Sequence, residues 1–429
     1  NLTNADVIDG GEGVDTLTVN NTDVTTVAAY SLGQIATLNG NISNIEEINF
    51  GTVLAQTIDV GRLDNISIAT IGNLAGASGL SGLAATNKVT VLATTGQTLS
   101  LALADATGTA DVANLVLKAS AVVNANTVTI NGVETVNVNG IDAAAGNVSA
   151  INVMALSSDK ATSVVVTGND GLTLTNTAAV AITNFDASAV AANDASDTAA
   201  NMAVTFTSAN TSASANVTIK GGAGNDTLEG NAGHDTISGG AGTDGITMTV
   251  GNDVVTAGAG VDTYTTTEAL MIANSGTTHT FDGGAGLDLL LYGEAAVINV
   301  VDADFRGFTS VEHLTTGNGT NNTVFAANAD GMGLVKVTAG TGNDTLNFSS
   351  VDFDNAFDLF TGTGTDAISF AVSGNQAGTF VIDTITEADD TLSGWTTGKD
   401  QIDIDKSVTG ISGTVGENLA SGNYYEGAA

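Results

Sequence analysis

The 429-residue chain contains no cysteine and no proline. Without cysteine there can be no disulfide and no thiolate metal site. Proline would remove ladder hydrogen bonds from stacked strands, and its absence also avoids slow cis/trans isomerisation. The sequence does not decide between these two reasons. Aromatic residues make up only 4% of the chain, so we expect a thin core of Val, Ile, Leu and Ala.

Basic residues are also scarce. Nine Lys and Arg face 46 Asp and Glu, which gives a formal net charge of −37. This balance argues against nucleic acid or an anionic membrane as a direct partner, and for dependence on bound cations. A hydrophobic content of 42% does not fit a disordered chain. No apolar run approaches about 18 residues, so we expect no membrane insertion. The chain begins at Asn1 without a signal peptide and is interpreted as the ordered part of a longer protein.

Against these absences stands a nine-residue repeat between Gly221 and Thr265. Its five units read GGAGNDTLE, GNAGHDTIS, GGAGTDGIT, MTVGNDVVT and AGAGVDTYT. The fourth position is always Gly, the sixth is always Asp and the eighth is always apolar. A flexible Gly/Asp-rich linker would have no reason to keep an apolar residue in phase over five copies.

The repeat predicts a turn followed by a short strand. Glycine reaches positive φ without steric penalty, and the next three residues place one side chain in a core. Stacked copies bury what one copy cannot, so we predict an all-β, right-handed parallel β-roll or β-solenoid with two units per coil, bent into several arms. Asp226, Asp244 and Asp262 should then line one edge, and Asp235 and Asp253 the other.

Stacked carboxylates about 4.8 Å apart would repel one another unless a cation lay between them. Carboxylate and carbonyl oxygens form a cage that suits Ca²⁺ better than Mg²⁺, and this nonapeptide is the known calcium-binding repeat of RTX proteins. The predicted cofactor is therefore Ca²⁺ in several structural sites. The predicted ligands in the array are the five aspartates and the turn glycines Gly222, Gly224, Gly233, Gly240, Gly242, Gly251 and Gly260.

Similar units recur out of phase with the main array. They are GGEGVDTLT with Asp15, GGAGLDLLL with Asp288, AGTGNDTLN with Asp344, and TGTGTDAIS with Asp366. A plain glycine-rich turn is the rival interpretation of each one alone. Together they predict calcium sites along most of the chain.

Elsewhere strand patterns dominate, and capped helices are not evident. The predicted strands include Val89–Ala93, Thr98–Ala104, Leu115–Ala119, Val128–Val138, Ser163–Thr167, Leu172–Thr175 and Val204–Thr207, while Ala143–Gly146 and Ala187–Ala200 are interpreted as loops or single turns. We predict four segments: solenoid arms over 1–85 and 86–215, the calcium array over 216–270 and a C-terminal arm over 271–429.

An apolar-Glu-x-apolar frame recurs around Glu46, Glu134 and Glu312. Ordinary alternation would place each glutamate on the solvent face of a strand. The alternative is that each is a further carboxylate ligand near a turn. The sequence leaves both interpretations open. It contains neither H-E-x-x-H nor G-x-S-x-G, so we expect no enzyme.

Residues 94–265 resemble the C-terminal part of the Caulobacter-type RTX surface-layer (S-layer) proteins. The resemblance lies in GVETVNV at Gly132, SVVVTGNDGLTLTN at Ser163, ITNFDASAV at Ile182, VTFTSANT at Val204 and VTIKGGAGNDTL at Val217. The tail from Val381 resembles the last folded coil of RTX exports, whereas residues 1–80 and 270–380 fit by pattern only. Met248 and Thr249 depart from the motif, where the family has a glycine pair, which puts that turn's coordination in doubt.

The resemblance implies a lattice-forming subunit on the outer surface of a Gram-negative cell. Such proteins leave by type I secretion, fold on external calcium and self-associate into a two-dimensional sheet. Their lipopolysaccharide-gripping domain has no counterpart here, so anchoring would need a region outside this chain. Two alternatives remain: an RTX adhesin or biofilm protein, and the non-catalytic carrier region of a secreted enzyme.

Overall fold

The computed structural model describes residues 2–119, 122–143, 151–177, 182–210, 212, 214–274, 279–293, 298–351, 357–370, 379–382, 391–393 and 401–404. The chain divides into two compact units, Asn1–Asn231 and Ala232–Ala429, called here the first and the second unit. The four predicted segments stay predictions. No helix among the described residues is long and apolar enough to cross a membrane.

The first unit is built of two long parallel sheets. One sheet has the order β2-β4-β6-β8-β10-β12-β14-β16-β18, the other β5-β7-β9-β11-β13-β15-β17-β19, and β1 pairs with β3. The strands are β1 (Ile8–Asp9), β2 (Thr16–Val19), β3 (Ile42–Ser43), β4 (Glu47–Leu54), β5 (Thr57–Asp59), β6 (Ile68–Leu74), β7 (Ser78–Leu83), β8 (Lys88–Val91), β9 (Leu99–Leu103), β10 (Val112–Ala119), β11 (Asn124–Ile130), β12 (Thr135–Asp142), β13 (Asn152–Ser157), β14 (Ser163–Gly168), β15 (Leu172–Asn176), β16 (Asn184–Val190), β17 (Val204–Thr207), β18 (Thr218–Lys220) and β19 (Thr227–Glu229).

The second unit continues the same architecture with three sheets, whose orders are β20-β22-β24-β27, β21-β23-β25-β28-β30-β32-β34-β36 and β26-β29-β31-β33-β35. The strands are β20 (Thr236–Ala241), β21 (Gly245–Thr247), β22 (Val254–Ala259), β23 (Thr263–Thr266), β24 (Thr280–Ala285), β25 (Leu289–Tyr292), β26 (Asn299–Val300), β27 (Phe308–Thr309), β28 (His313–Thr315), β29 (Asn322–Val324), β30 (Lys336–Thr338), β31 (Thr345–Phe348), β32 (Phe357–Phe360), β33 (Ala367–Phe370), β34 (Thr379–Ile382), β35 (Thr391–Ser393) and β36 (Gln401–Ile404).

Each unit is a parallel β-solenoid, as the repeat predicts. Non-consecutive strands pair in parallel, so the chain crosses from one sheet to the other and returns one layer further on. The right-handed sense and the bent arms stay predictions.

The core consists of apolar residues stacked in register. In the array, Ile237 pairs with Val255, and Ile246 pairs with Tyr264, each at most 2% exposed. These are the eighth-position residues of the repeat. Each such burial contributes roughly 1.5–3 kcal/mol relative to exposure. The few aromatics extend the stacks, and the Tyr264 and Phe281 ring centroids lie 4.3 Å apart.

The strand predictions largely hold, with two corrections. Val128–Val138 is not one strand, because β11 ends at Ile130 and β12 begins at Thr135. Gly132 turns the chain between them with φ 76°, so the two halves enter different sheets. Ala187–Ala200 is not entirely loop, because its first four residues belong to β16. Ala143 is described and Ala144–Gly146 lie outside the described residues.

The sequence prediction missed the helices. They are α1 (Asn21–Ala28), α2 (Leu32–Asn41), α3 (Glu268–Asn274) and α4 (Ala327–Gly331), with short 3-10 turns at Val60–Arg62 and Asp302–Phe305. α1 and α2 each begin with a capping box, Asn20 with Asp23 and Ser31 with Gln34. α1 packs against β4 and β5, so it shields apolar side chains at the start of the first unit.

Candidate cation-binding turns

In the array of the second unit, each repeat aspartate stands immediately before its strand, and the later aspartates accept a hydrogen bond from the backbone amide of the aspartate one layer earlier. The Asp235 amide donates to Asp253 Oδ1 at 2.9 Å, and the Asp244 amide donates to Asp262 Oδ1 at 2.8 Å, each across 18 residues. The Asp262 amide donates in the same way to Asp288 Oδ1 at 2.8 Å, across 26 residues. These aspartates, each bonded to the amide of the aspartate one layer earlier, are called here a column. Asp288 belongs to the column of Asp244 and Asp262, although its nonapeptide is out of phase in sequence.

Asp226 closes the last turn of the first unit. Its Oδ1 accepts from the Val204 amide at 2.8 Å, and its Oδ2 accepts from the Gly222 amide at 2.7 Å. At Asp253 the corresponding Oδ2 accepts from the Thr249 hydroxyl at 3.2 Å. Thr249 thus supplies a donor from its side chain in the turn that departs from the motif. Met248, the other departure, is buried in the core.

Several carboxylates carry an oxygen that the protein itself does not satisfy. Asp262, Asp288 and Asp344 are at most 1% exposed, and in each the Oδ2 atom is buried without a hydrogen-bond partner. The Oδ2 atoms of Asp15 and Asp111 are buried in the same way. An unsatisfied buried oxygen of this kind costs about 1–3 kcal/mol or more, so these atoms fit a bound cation.

Burial also perturbs the acidity of these groups. Desolvation raises the pKa of Asp226, Asp253 and Asp288 to about 6. At Asp253 the like charge of Asp235 adds to the rise in pKa. Burial also raises the pKa of Asp344. A cation among the turns would oppose these shifts because it favours the ionised form.

Backbone carbonyls lie beside the carboxylates. Gly251 sits over the Gly233 carbonyl and Gly260, at φ 145°, sits over the Gly242 carbonyl, so closely that a Cβ at either position would collide with that oxygen. Gly258 stacks on Gly240 in the same way, and in the first unit Gly224 lies against the Met202 carbonyl. Within the described ranges no three Asp, Glu or His side chains converge as a metal cluster. A cation here would therefore draw on these carbonyls as well, an all-oxygen set that suits Ca²⁺.

A separate stack holds the two remaining predicted aspartates. The Asp344 amide donates to Asp366 Oδ1 at 2.8 Å, and the Asn321 amide donates to Asp344 Oδ1 at 2.7 Å. Asn321 thus occupies an aspartate's place in the column. The motif does not reveal it, because TGNGTNNTV, Thr316–Val324, has Asn at the sixth position.

The three frame glutamates lie at the turns and precede β4, β12 and β28. Glu46 Oε2 accepts from the Asp15 amide at 3.1 Å, and Glu312 Oε2 accepts from the Asp288 amide at 2.9 Å. Glu134 Oε2 accepts from the Asp111 amide at 2.9 Å. Each glutamate takes the place of the next aspartate in its column, rather than the solvent face of a strand. Asp111 belongs to no nonapeptide. Its place one layer before Glu134 is shown only by the hydrogen bond between them, across 23 residues.

Fold and turns together define a parallel β-solenoid with stacked acidic turns. The family described as the RTX calcium-binding nonapeptide repeat, in four copies, matches residues 3–21, 218–246 and 249–266. The chain therefore carries RTX repeats, which bind calcium and occur in secreted proteins. Asp288, Asp344 and Asp366 lie outside the matched segments. A comparison with curated proteins gave no match.

Proposed function

We propose that this chain is a structural subunit of a calcium-dependent surface layer on a Gram-negative cell. The observation that supports this most directly is the stacking of buried carboxylates at successive turns, as in Asp244, Asp262 and Asp288. Their burial puts the free energy of the folded state under the control of a cation.

Linkage explains how such a framework serves export. Where calcium is scarce, the buried carboxylates oppose folding and keep the chain open for secretion. Outside the cell, binding of the cation to the folded state alone becomes folding free energy. Sites with dissociation constants of about 10⁻⁴–10⁻³ M would suffice in an extracellular medium.

The net charge and the resemblance of residues 132–220 support assembly into a lattice. Subunits with a net charge of −37 repel one another, and calcium bound between acidic faces would remove that repulsion. Most of the residues that carry the resemblance to Caulobacter-type surface-layer proteins lie before the nonapeptide array. The resemblance therefore adds to what the repeats indicate alone.

Calcium addition to the purified protein tests the lattice. We expect electron microscopy to show two-dimensional sheets in millimolar calcium and dispersed protein in chelator. Monomers at every calcium concentration would contradict the proposal, and folded monomers that bind a ligand would favour the adhesin. Circular dichroism tests the folding step separately: a full β-sheet signal in chelator would refute calcium-driven folding.

A further inference from the structure

The helix α1 and the strands beneath it enclose a cavity in the first unit. β5 is the outermost strand of its sheet, and the helix α1 packs against β4 and β5. The apolar side chains that α1 contributes to the cavity wall are Val24, Val27 and Ala28, none of them larger than valine. Because they do not fill the space over the strands, a volume of about 290 Å³ remains there. This space is called here the cap cavity.

Most of the wall of the cap cavity is apolar and shielded from solvent. It includes Val19, Ile48, Phe50 and Ile58, which are at most 6% exposed. Protein interiors leave few voids larger than a water molecule. An apolar cavity of about 150 Å³ stays dry and takes up benzene, so the cap cavity has room for a molecule of about ten non-hydrogen atoms. Its size and composition are those of a small-molecule site.

One positively charged side chain lines the cap cavity. Arg62 is half-buried, and its guanidinium donates to the Ala28 carbonyl at 3.0 Å and to the Tyr30 carbonyl at 2.6 Å. Among the residues that the structure describes, these two carbonyls are its hydrogen-bond partners. They lie at and just after the C-terminal end of α1, where a cation is favoured, and they hold the guanidinium at the cavity. A guanidinium carries five N–H donors, so donors remain for a ligand.

The charges around the cap cavity favour an uncharged ligand. Asp23 and Asp59 also line it. The Asp23 carboxylate accepts from the Leu2 amide at 2.6 Å and from the Asn20 amide at 3.1 Å, and these backbone donors favour its ionised form. The two carboxylates would repel an anion, and the Arg62 guanidinium would repel a cation. A neutral molecule avoids both penalties and can still accept a hydrogen bond from Arg62.

We propose that the cap cavity binds a small uncharged amphiphile. Its aliphatic body would lie against Ile48, Phe50 and Ile58, and its hydroxyl or carbonyl oxygen would accept a hydrogen bond from the Arg62 guanidinium. The cavity lies within the first unit, outside the repeat array. The inference therefore depends neither on calcium at the acidic turns nor on formation of a surface layer.

Methyl NMR of the intact protein with 1-octanol as the probe tests the site directly. The methyl resonances of Ile48 and Ile58 should shift as 1-octanol is added, because both side chains line the cavity. Those of Ile237 and Ile246, which lie in the core of the second unit, should not shift. Octanoate and octylammonium, which carry the same aliphatic chain with a negative or positive end, should bind more weakly than 1-octanol.

Two pairs of variants locate the binding. Val27→Phe fills the cavity and should abolish binding, whereas Thr26→Phe adds the same ring at a position of α1 that does not line the cavity and should bind like the wild type. Arg62→Met keeps an aliphatic stem but removes the donors, so it should weaken 1-octanol binding about tenfold. It should leave binding of cyclohexane, which has no acceptor, unchanged. Lys88→Met removes the same charge at an exposed position and should change neither affinity.

Four results would overturn the proposal. They are an absence of shifts at Ile48 and Ile58 in saturating 1-octanol, equal binding by Val27→Phe and the wild type, tighter binding of octanoate or octylammonium than of 1-octanol, and an equal loss of 1-octanol and cyclohexane binding in Arg62→Met. The last result would show that Arg62 only holds α1 in place and is not the donor to the ligand.

Discussion

Turns in the two units close in different ways on the same parallel framework. In the second unit the positions before successive strands are Asp244, Asp262, Asp288 and Glu312, all linked by amide-to-carboxylate hydrogen bonds. In the first unit the column that starts at Asp111 and Glu134 continues with Thr162 and Thr183. The backbone hydrogen bonds between layers continue, but Thr162 and Thr183 carry no charge where the second unit has carboxylates.

The neutral turns show that a solenoid layer does not itself require a cation. The Thr183 hydroxyl donates to the Thr162 carbonyl at 3.4 Å, and no carboxylate needs neutralising there. Three acidic runs end on a glutamate followed by an uncharged residue. The successor residues are Ser67 after Glu46, Thr162 after Glu134, and Val335 after Glu312. Calcium dependence should therefore be local to the acidic runs.

The largest expected effect is the response of the two regions to chelation. Without calcium, amides of β20 to β25 should lose protection from hydrogen exchange, because their turns carry buried charges. Amides of β14 and β16 should keep more protection, since the turns before these strands end at the neutral residues Thr162 and Thr183. Exchange mass spectrometry with and without calcium measures both regions in one sample. Equal loss of protection in both would show that the units unfold together, which would refute a local role for the cation.

The next largest effect concerns a single buried carboxylate, whose substitution should change the free energy of unfolding in opposite directions with and without calcium. In calcium, Asp262→Asn should destabilise the protein by roughly 2–3 kcal/mol, because a neutral amide replaces an ionised ligand and weakens the charge-assisted hydrogen bond from the Asp244 amide. In chelator the same substitution should be neutral or stabilising, since it removes a buried charge. Denaturant unfolding in both conditions measures this. Asp64→Asn, at an exposed position, is the matched control and should change neither value. Equal destabilisation in both conditions would argue against a cation at Asp262.

Acidification should reduce the dependence of the acidic turns on calcium, and so make their stability more like that of the neutral turns. The pKa of Asp226, Asp253 and Asp288 is raised to about 6 in the folded protein, from an ordinary value of 3.8. Between these values the folded state binds protons that the unfolded state has released, so the calcium-free protein should gain stability as pH falls from about 7 to about 5. Protons also compete with calcium. The calcium-induced rise in Tm should therefore shrink over the same range, and a constant rise would contradict the assignment.

The sequence period predicted the coil and the stacking of alternate turns, because glycine, aspartate and an apolar residue recur in fixed phase. It did not predict that Asp288 would continue the Asp262 column. The helix α3 lies between β23 and β24 and lengthens that coil from 18 to 26 residues. Such an insertion breaks the nine-residue spacing in the sequence, whereas parallel strand pairing keeps the turns aligned from one layer to the next.

The sequence did not predict other site residues because they lack the residue types of the nonapeptide motif. Asn321 replaces an aspartate, and Asp111 has no glycine-rich unit around it, so only strand register shows their positions. The capping boxes at Asn20 and Ser31 were readable but short. Periodicity over 8 or 10 residues gives a weak helical signal beside so many strands. For Asn321 and Asp111, tertiary strand pairing rather than local pattern decides the position.

The smallest expected effect is a difference in calcium affinity between variants of Glu312 and Glu134, the glutamates that end two columns. Glu312 is half-buried and completes a run of aspartates, so Glu312→Gln should weaken calcium binding about threefold to tenfold, equivalent to roughly 1 kcal/mol. Glu134 ends a run with one aspartate, and the Lys160 ammonium lies 3.9 Å from its Oε1. That positive charge already offsets part of the carboxylate charge, so Glu134→Gln should weaken calcium binding less. Calorimetric titration of both variants would decide the order. An equal or reversed order would contradict the argument from run length and the Lys160 charge, and unchanged calcium binding in both variants would show that the glutamates serve only as hydrogen-bond acceptors.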